Sequence, residues 1–468
     1  MRTLIRWHRR LALWVMVPLL AWAGTGLLHP IMARWQPSAV AMQPPVALIA
    51  PPAGTAWSDL PPPRHVLPSG EFREARALTW EGQPWWQLQA PDGGLRFIQA
   101  RTGREADLTG PLVTFLARHY TGAREPILSV SRVDRFDDEY PFINRYLPVW
   151  RVAFARDDGL VAFIEPRTLQ MTGLTDTWKT RFAGLFRQLH TWSWWSHEPS
   201  RDAAMALMLS AVFILAVTGV VRAWRTTAGS TPNRRCHRLL GWLVLAAVCA
   251  WSLSGLAHVL MHTKSRPAFA THPLKHRLDV DQLRTSPPAD IPAGARLQLL
   301  ATREGPVWRW WLSEKHTGHA GHHAGHQGSM LREGSRLART GEPFMPVGHV
   351  RELVAEVTGG ARWLTCEPIT AFDHEYGFIN KRLPVYRLRL DTPDHLSVYV
   401  DPADAAIAAV IRDPQRLEGF SFAYLHKATW LDGLGKLTRD IVLAATASAV
   451  MVMVLIGIRL LKRRSQSA

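Results

Sequence analysis

Histidine recurs in this chain as a matched pair at the ends of two apolar segments. His8 and His29 bracket the first, in WHRRLALWVMVPLLAWAGTGLLH, and His237 and His258 bracket the second, in CHRLLGWLVLAAVCAWSLSGLAH. Both pairs are 21 residues apart, and Trp22 and Gly26 of the first segment match Trp251 and Gly255 of the second. A third pair follows: LFRQLHTW places His190 where FAYLHKATW places His426. A neutral imidazole is a good axial ligand for haem iron, and helices from two sides can clamp one porphyrin. Two haems with two histidines each need four ligands. At 1.5 Å per residue, His8 and His29 lie about 31 Å apart along a helix, near opposite membrane faces. We therefore expect His29, His190, His258 and His426 at an outer level and His8 with His237 at a cytoplasmic one, with the pairing left open. The competing role is an interfacial anchor or helix cap. Ionisable residues in spans are costly and default to function, and duplication strengthens that case. His262, one turn beyond His258, is an alternative ligand at that end. Trp14, Trp22, Trp242 and Trp251 can pack on a porphyrin or simply on neighbouring helices.

Two further clusters carry chemistry. HTGHAGHHAGHQGSM offers His316, His319, His322, His323 and His326 among small residues, a composition suited to wrapping copper, zinc or nickel. It is an insert in the second half, where the first half has only a tight turn; a solvated loop fits it equally. The segment FDDEYPFINRYLPVWRV carries Asp138, Glu139, Tyr140 and Arg145, and FDHEYGFINKRLPVYRL carries Glu375, Tyr376 and Lys381 at matching places. Carboxylates with tyrosine and a neighbouring cation fit an iron-chelate site; they fit a purely architectural motif as well.

Four apolar runs are long enough to position these histidines in a membrane: about Leu11–Leu28, Ala203–Val221, Leu239–Val259 and Ile441–Ile458. The net charge of +17 would suggest nucleic acid in a soluble chain. Here Arg2, Arg6, Arg9 and Arg10 precede the first run, Arg222, Arg225, Arg234, Arg235 and Arg238 flank the link between the second and third, and Arg459, Lys462, Arg463 and Arg464 follow the fourth. The positive-inside rule then places both termini and the central link in the cytoplasm, with the two long segments outside, and no nucleic-acid role is expected. The three cysteines, Cys236, Cys249 and Cys366, fall at different depths, so no disulfide is expected.

The order along the chain is a span at 1–30, an external domain at 31–182, an interfacial helix and span at 183–225, a link at 226–236, a span at 237–262, a second external domain at 263–418 with the histidine-rich insert at 316–326, an interfacial helix and span at 419–461, and a tail at 462–468. The halves repeat beyond the histidines: EGQPWWQL with Trp85 and Trp86 resembles EGPVWRWWL with Trp310 and Trp311, and ARTGRE resembles ARTGEP. Each half has an even number of spans, so both halves keep one orientation, related by a pseudo-twofold axis along the membrane normal. Alternating runs such as VWRVAF and VYRLRL read as strands, and PLVTFLARHY and HVRELVAEVTG as amphipathic helices. The fold class is thus an integral membrane protein with four helical spans and two external α+β domains.

His8-Arg9 and His237-Arg238 opening spans, Thr25-Gly26 and Ser254-Gly255 near their ends, Leu189-His190 and Leu425-His426 before the other two, and the segments FIEPRTLQMTG and VYVDPADAAI resemble the PepSY-associated transmembrane family over nearly the whole chain. Within that family the chain resembles the inner-membrane ferric-siderophore reductases of the ferrioxamine B type. The resemblance implies PepSY-like external domains, b-type haem and reduction of siderophore iron in the periplasm. No G-x-G-x-x-G, Walker or H-E-x-x-H motif is present, and the cytoplasmic parts are too short for a flavin or nicotinamide domain. Electrons would come from a membrane quinol or a separate cytoplasmic reductase. The rival readings are a non-enzymatic scaffold or metal-binding accessory of a transporter, and a copper reductase.

Overall fold

The computed structural model describes residues 2–225, 231–262, 277–314, 330–344, 346–377, 380, 382–401 and 406–465. They form two compact units. One gathers Met1–Gln36, Trp178–Arg266 and Asp413–Ala468; the other gathers Pro37–Thr177 and Pro267–Arg412.

The first unit is built on four long helices: α1 (Arg2–Trp35), α2 (Glu198–Arg225), α3 (Pro232–His262) and α4 (Lys436–Ser465). All four are long and apolar enough to cross a membrane, over Ile5–Trp35, Glu198–Trp224, Pro232–Met261 and Lys436–Leu461. They run well past the apolar runs because basic and aromatic ends continue the helix beyond the hydrocarbon length. α1 and α3 each pack on both α2 and α4, so they stand on opposite sides of the bundle. The centre holds small and β-branched side chains, among them Val15, Ala23, Ala211, Val212, Val244, Val248 and Val450. Such residues let helix backbones approach closely where no hydrophobic drive between helices exists. Larger groups such as Trp14, Val17, Leu207 and Leu243 point outward. Shorter helical segments complete the unit, among them the two that precede α2 and α4. Thr177–His190 is a regular α-helix, whereas Asp413–Ser421 is α-helical and passes into a π-helical turn at Phe422–His426.

In the second unit, two four-stranded antiparallel sheets share one plan. Ile127–Val133, Val149–Phe154, Val161–Glu165 and Gln170–Thr175 form one; Trp363–Ile369, Val385–Leu390, Ser397–Asp401 and Ala406–Ile411 form the other. Helix Thr109–Thr121 covers the first through Leu112, Val113, Leu116, Ala117 and Tyr120, a helical stripe, and stops at Gly122 in the left-handed region (φ 69°). Helix Pro346–Thr358 packs on the second.

The two long segments are not separate domains. A seven-stranded sheet runs from Met330–Leu337 through Gly305–Glu314 and Arg296–Thr302 to Glu74–Trp80, Gln83–Gln89, Leu95–Gln99 and Glu105–Ala106. The seam is the antiparallel pairing of Arg76 with Gln298, Ala75 with Leu299 and Glu74 with Leu300. Joining the two segments there removes an exposed edge from each. Trp86 packs on Trp308 at 5.9 Å between ring centres, so the tryptophan that meets the first segment's core is Trp308 rather than Trp310 or Trp311. The segment boundaries also shift: Thr177 and Arg412 end the sheet unit, against residues 182 and 418 expected from sequence.

Candidate functional site

The histidines gather at both ends of the four-helix unit. At one end, a cavity of about 320 Å³ is lined by His8 and Arg9 of α1, Arg222 of α2, Arg234 and His237 of α3, and Leu461 of α4. The basic helix ends therefore meet at this level. Its volume falls within the range of about 300–1,000 Å³ common for small-molecule and cofactor sites. Two glycines make room for the imidazoles. A Cβ on Gly219 would lie 3.3 Å from Cε1 of His8, and one on Gly457 would lie 3.4 Å from Cε1 of His237.

At the opposite end, the rings of His190 and His426 meet with centroids 6.2 Å apart and planes at 90°. A metal about 2.0–2.1 Å from a nitrogen on each side, with roughly 1 Å more to each ring centre, needs about 6 Å. Each of the two histidines is set by matching contacts. Phe186 stacks on His190 (4.5 Å, 13°) and Phe422 on His426 (4.7 Å, 12°), each from four residues earlier. The indole N–H of Trp22 donates to the His190 carbonyl (3.0 Å), and that of Trp251 to the His426 carbonyl (3.2 Å). The chain then turns sharply, with Trp192 at φ 51° and Ala428 at φ 49°. That places Ala428, not Trp430, opposite Trp192; Trp192 stacks on Trp22 at 5.6 Å, while Trp430 is exposed.

Hydrogen bonding decides which ring nitrogen is available. Thr25 Oγ1 lies 2.8 Å from His190 Nδ1 and gives its own proton to the Ala21 carbonyl at 2.7 Å. With its proton on that carbonyl, the hydroxyl accepts from Nδ1–H. Ser254 Oγ does the same for His426, at 3.2 Å, while donating to the Trp251 carbonyl. Thr218 Oγ1, bonded to the Ile214 carbonyl, accepts from His8 Nδ1 at 3.2 Å. The Met453 carbonyl can only accept, and it lies 3.0 Å from His237 Nδ1. Glu418 Oε1 sits 2.5 Å from His258 Nδ1. In five of the six histidines Nδ1 thus has a hydrogen-bond partner, and at His237 and His258 that partner is a carbonyl or carboxylate oxygen that accepts the Nδ1 proton. Burial, reinforced by a neighbouring histidine, draws His190 down to about 4 and His426 to about 3, which keeps both rings neutral. His29 faces Phe186 at 6.3 Å. Among the described residues no group of three or more His, Cys, Asp or Glu is placed to hold a metal ion; a haem iron takes only two protein ligands.

The intramembrane tryptophans divide. Trp22 and Trp251 anchor the histidine backbones, Trp242 lines the cavity, and Trp14 faces outward. Sequence reasoning does not single out Thr25, Ser254, Thr218 and Glu418 as partners of the histidines. The Thr-Gly and Ser-Gly pairs are visible in it, but the hydroxyl's role depends on which helix crosses there.

The residues of the expected chelate site lie in the sheet unit. Tyr140 and Tyr376 are fully buried. The Tyr140 hydroxyl donates to the Tyr146 carbonyl (3.1 Å) and lies 2.7 Å from Thr172 Oγ1; that of Tyr376 donates to the Arg382 carbonyl (3.0 Å). Asp137 and Asp373 each fold the motif by accepting from two backbone N–H groups, those of Glu139 and Tyr140 and those of Glu375 and Tyr376. Glu139 is held by Arg151 at 2.7 and 2.9 Å, and Glu375 lies 3.9 Å from Arg387. Arg145 takes the left-handed conformation (φ 70°) with its guanidinium 4.8 Å from the Phe142 ring. These contacts hold the motif's fold. Asp138 is exposed at the same turn. Lys381 and the histidine-rich set His316, His319, His322, His323 and His326 lie outside the described residues, as does the side chain of His262.

A search of curated proteins finds no match to this chain. A family model described as the PepSY-associated TM region matches residues 117–332, from the helix over the first sheet through α2 and α3 into the strands at the seam. With its four apolar helices, the chain is a membrane protein that is similar to the PepSY-associated transmembrane region across that stretch.

Proposed function

We propose that this is a haem b protein of the bacterial inner membrane that reduces ferric chelates, ferric siderophores among them, on the outer side. The observation that carries the reading is the matched set of hydrogen-bond partners on Nδ1 of His8, His237, His190, His258 and His426, at two levels of one helical bundle, an arrangement in which Nε2 would be the ligating nitrogen. Bound haem b would supply one-electron redox chemistry. His190 with His426, and His8 with His237, would hold one haem each, with His29 and His258 as further ligand candidates at the outer level.

The protein's own part is to orient and to insulate. Thr25, Ser254, Thr218 and the Met453 carbonyl lock the tautomers, Phe186 and Phe422 fix ring rotation, and apolar helix walls exclude water. The arginines at the cavity mouth suit anionic carboxylates there. They also orient the protein, since they cluster at one end of all four helices; both termini are then cytoplasmic and the sheet unit periplasmic, in two halves related by a pseudo-twofold axis. Iron(III) bound by hard oxygen ligands accepts one electron, and the chelate holds the resulting iron(II) more weakly. The electron donor is a membrane quinol or a separate cytoplasmic reductase.

The test is quinol-driven reduction of a ferric hydroxamate by the purified protein in liposomes, with a chromogenic iron(II) trap. Trap colour should depend on both quinol and protein. A haem-loaded protein whose haem is fully reduced, yet which leaves the chelate untouched, would contradict the substrate half of the reading. Reporter fusions after Ser467 and within residues 318–328 should report opposite sides of the membrane; the same side for both would overturn the orientation.

A further inference from the structure

The seam of the seven-stranded sheet carries a polar row through an otherwise apolar core. Register places Gln87 beside Arg76, Arg76 beside Gln298, Gln298 beside Arg309 and Arg309 beside Ser335, one residue per strand across five strands. All five are buried. A row of amides and guanidiniums in that position is costly unless it serves something. Part of the charge is balanced inside the sheet: Glu74 accepts from Arg76 at 3.1–3.2 Å, from Arg167 at 3.2 Å and from Gln298 at 2.6 Å.

The row opens on a cavity of about 50 Å³. Four arginines line it: Arg76, Arg296, Arg309 and Arg382. They come from three strands of the large sheet and from the loop before Val385–Leu390, so the site exists only because the two long segments join. Two aromatic rings hold the guanidiniums in place. Arg296 and Arg309 lie 6.0 and 5.2 Å from the Trp311 ring, and Arg382 lies 4.5 Å from the Tyr146 ring. One acid, Asp401, also lines the cavity, and it is engaged by Arg382 at 3.0 Å. Arg296 makes no ion pair among the described residues. Burial draws its guanidinium down to about 10, with Tyr120 offsetting and Arg76 adding to the effect.

We propose that this cavity is a binding site for one small oxyanion, a carboxylate or phosphate group, centred on Arg296, with Arg76, Arg309 and Arg382 adding positive charge around it. Planar guanidiniums fixed against aromatic faces recognise such groups in a bidentate way, and a bound anion supplies the counter-charge that Arg296 lacks. A space of about 50 Å³ holds a few water-sized groups, enough for a carboxylate or phosphate and far too little for a whole iron chelate. The occupant is a free small anion or the acidic arm of a larger ligand. This site owes nothing to the haem reading and stands or falls apart from it.

The experiment is titration calorimetry on the purified full chain in detergent, with sodium phosphate, sulfate, acetate and citrate against sodium chloride at matched ionic strength. Saturable one-to-one binding of at least one oxyanion is expected, weakened tenfold or more in Arg296→Gln and partly restored in Arg296→Lys. Phosphate and sulfate without the carboxylates would assign a phosphate group; acetate and citrate without phosphate would assign a carboxylate arm. Arg309→Gln is the second variant, expected to weaken binding as Arg296→Gln does. No saturable binding to the folded wild type, a response that chloride reproduces, or unchanged affinity in the folded variants would overturn the proposal.

Discussion

The segments carrying His190 and His426 reach the same ring placement by different backbones. In the first, Thr177–His190 is regular α-helix; in the second, the last turn before the histidine is π-helical. π-turns in helices concentrate at functional sites, because they re-aim one side chain at the cost of regular hydrogen bonding. What the two share is short: a phenylalanine four residues earlier, an indole on the carbonyl, a hydroxyl on Nδ1 and a left-handed turn two residues later. What differs is charge. Eight residues before His426 stands Glu418, on His258; eight before His190 stands Phe182, stacked on Trp178. The shared contacts are those that aim an imidazole, and the unshared ones change what surrounds it. The structure thus separates placement, which is duplicated, from electrostatic tuning, which is not.

The largest effect that tests this comparison is loss of a ligand. His190→Ala and His426→Ala should each empty the outer level and bring haem per chain from two to one, read by the pyridine haemochrome. If only one of the two variants loses haem, the two histidines do not share a site. Next come the tautomer locks. Thr25→Val and Ser254→Ala should each weaken haem retention by about 10–100-fold, as losing a partner of a ligating histidine does. Equal losses would show that the two halves contribute alike; no loss in either would remove the tautomer argument.

Glu418→Gln probes the asymmetry itself. Glu418 is a carboxylate at the outer level with no counterpart in the first half, so the amide should raise the reduction potential of the outer haem by on the order of tens of millivolts, where 59 mV is tenfold in a one-electron equilibrium. Redox titration with spectral readout measures it. An unchanged potential would show that Glu418 does not act on the outer haem. The smallest effect is expected from deleting 316–326, a segment that the first half lacks. Haem content and ferric-hydroxamate reduction should stay within about twofold, because ligands and locks all lie in the four-helix unit. Collapse of reduction with haem retained would move the iron site onto the insert.

Much of the four-helix unit is legible in the sequence. Apolar runs and clustered arginines mark four helices because lipid imposes length and charge rules on the chain. The histidine pairs stand out through spacing alone. The joining of the two long segments does not, since the pairing of Arg76 with Gln298 links strands more than two hundred residues apart and no local pattern records it. The burial of the tyrosines is hidden for a related reason. Tyr140 and Tyr376 sit in a motif of acids and turn residues, which reads as a surface site, yet cross-sheet packing on Phe163 and Tyr399 buries them. The π-turn before His426 is equally invisible, because FAYLH and LFRQLH have the same apolar spacing.

The most direct test of the central claim is the absorption spectrum of the purified chain from haem-replete cells, air-oxidised and then reduced with dithionite, with haem counted against protein. The account predicts a low-spin, six-coordinate b-type spectrum and two haems per chain. A colourless, folded protein would contradict it and leave a membrane scaffold in its place.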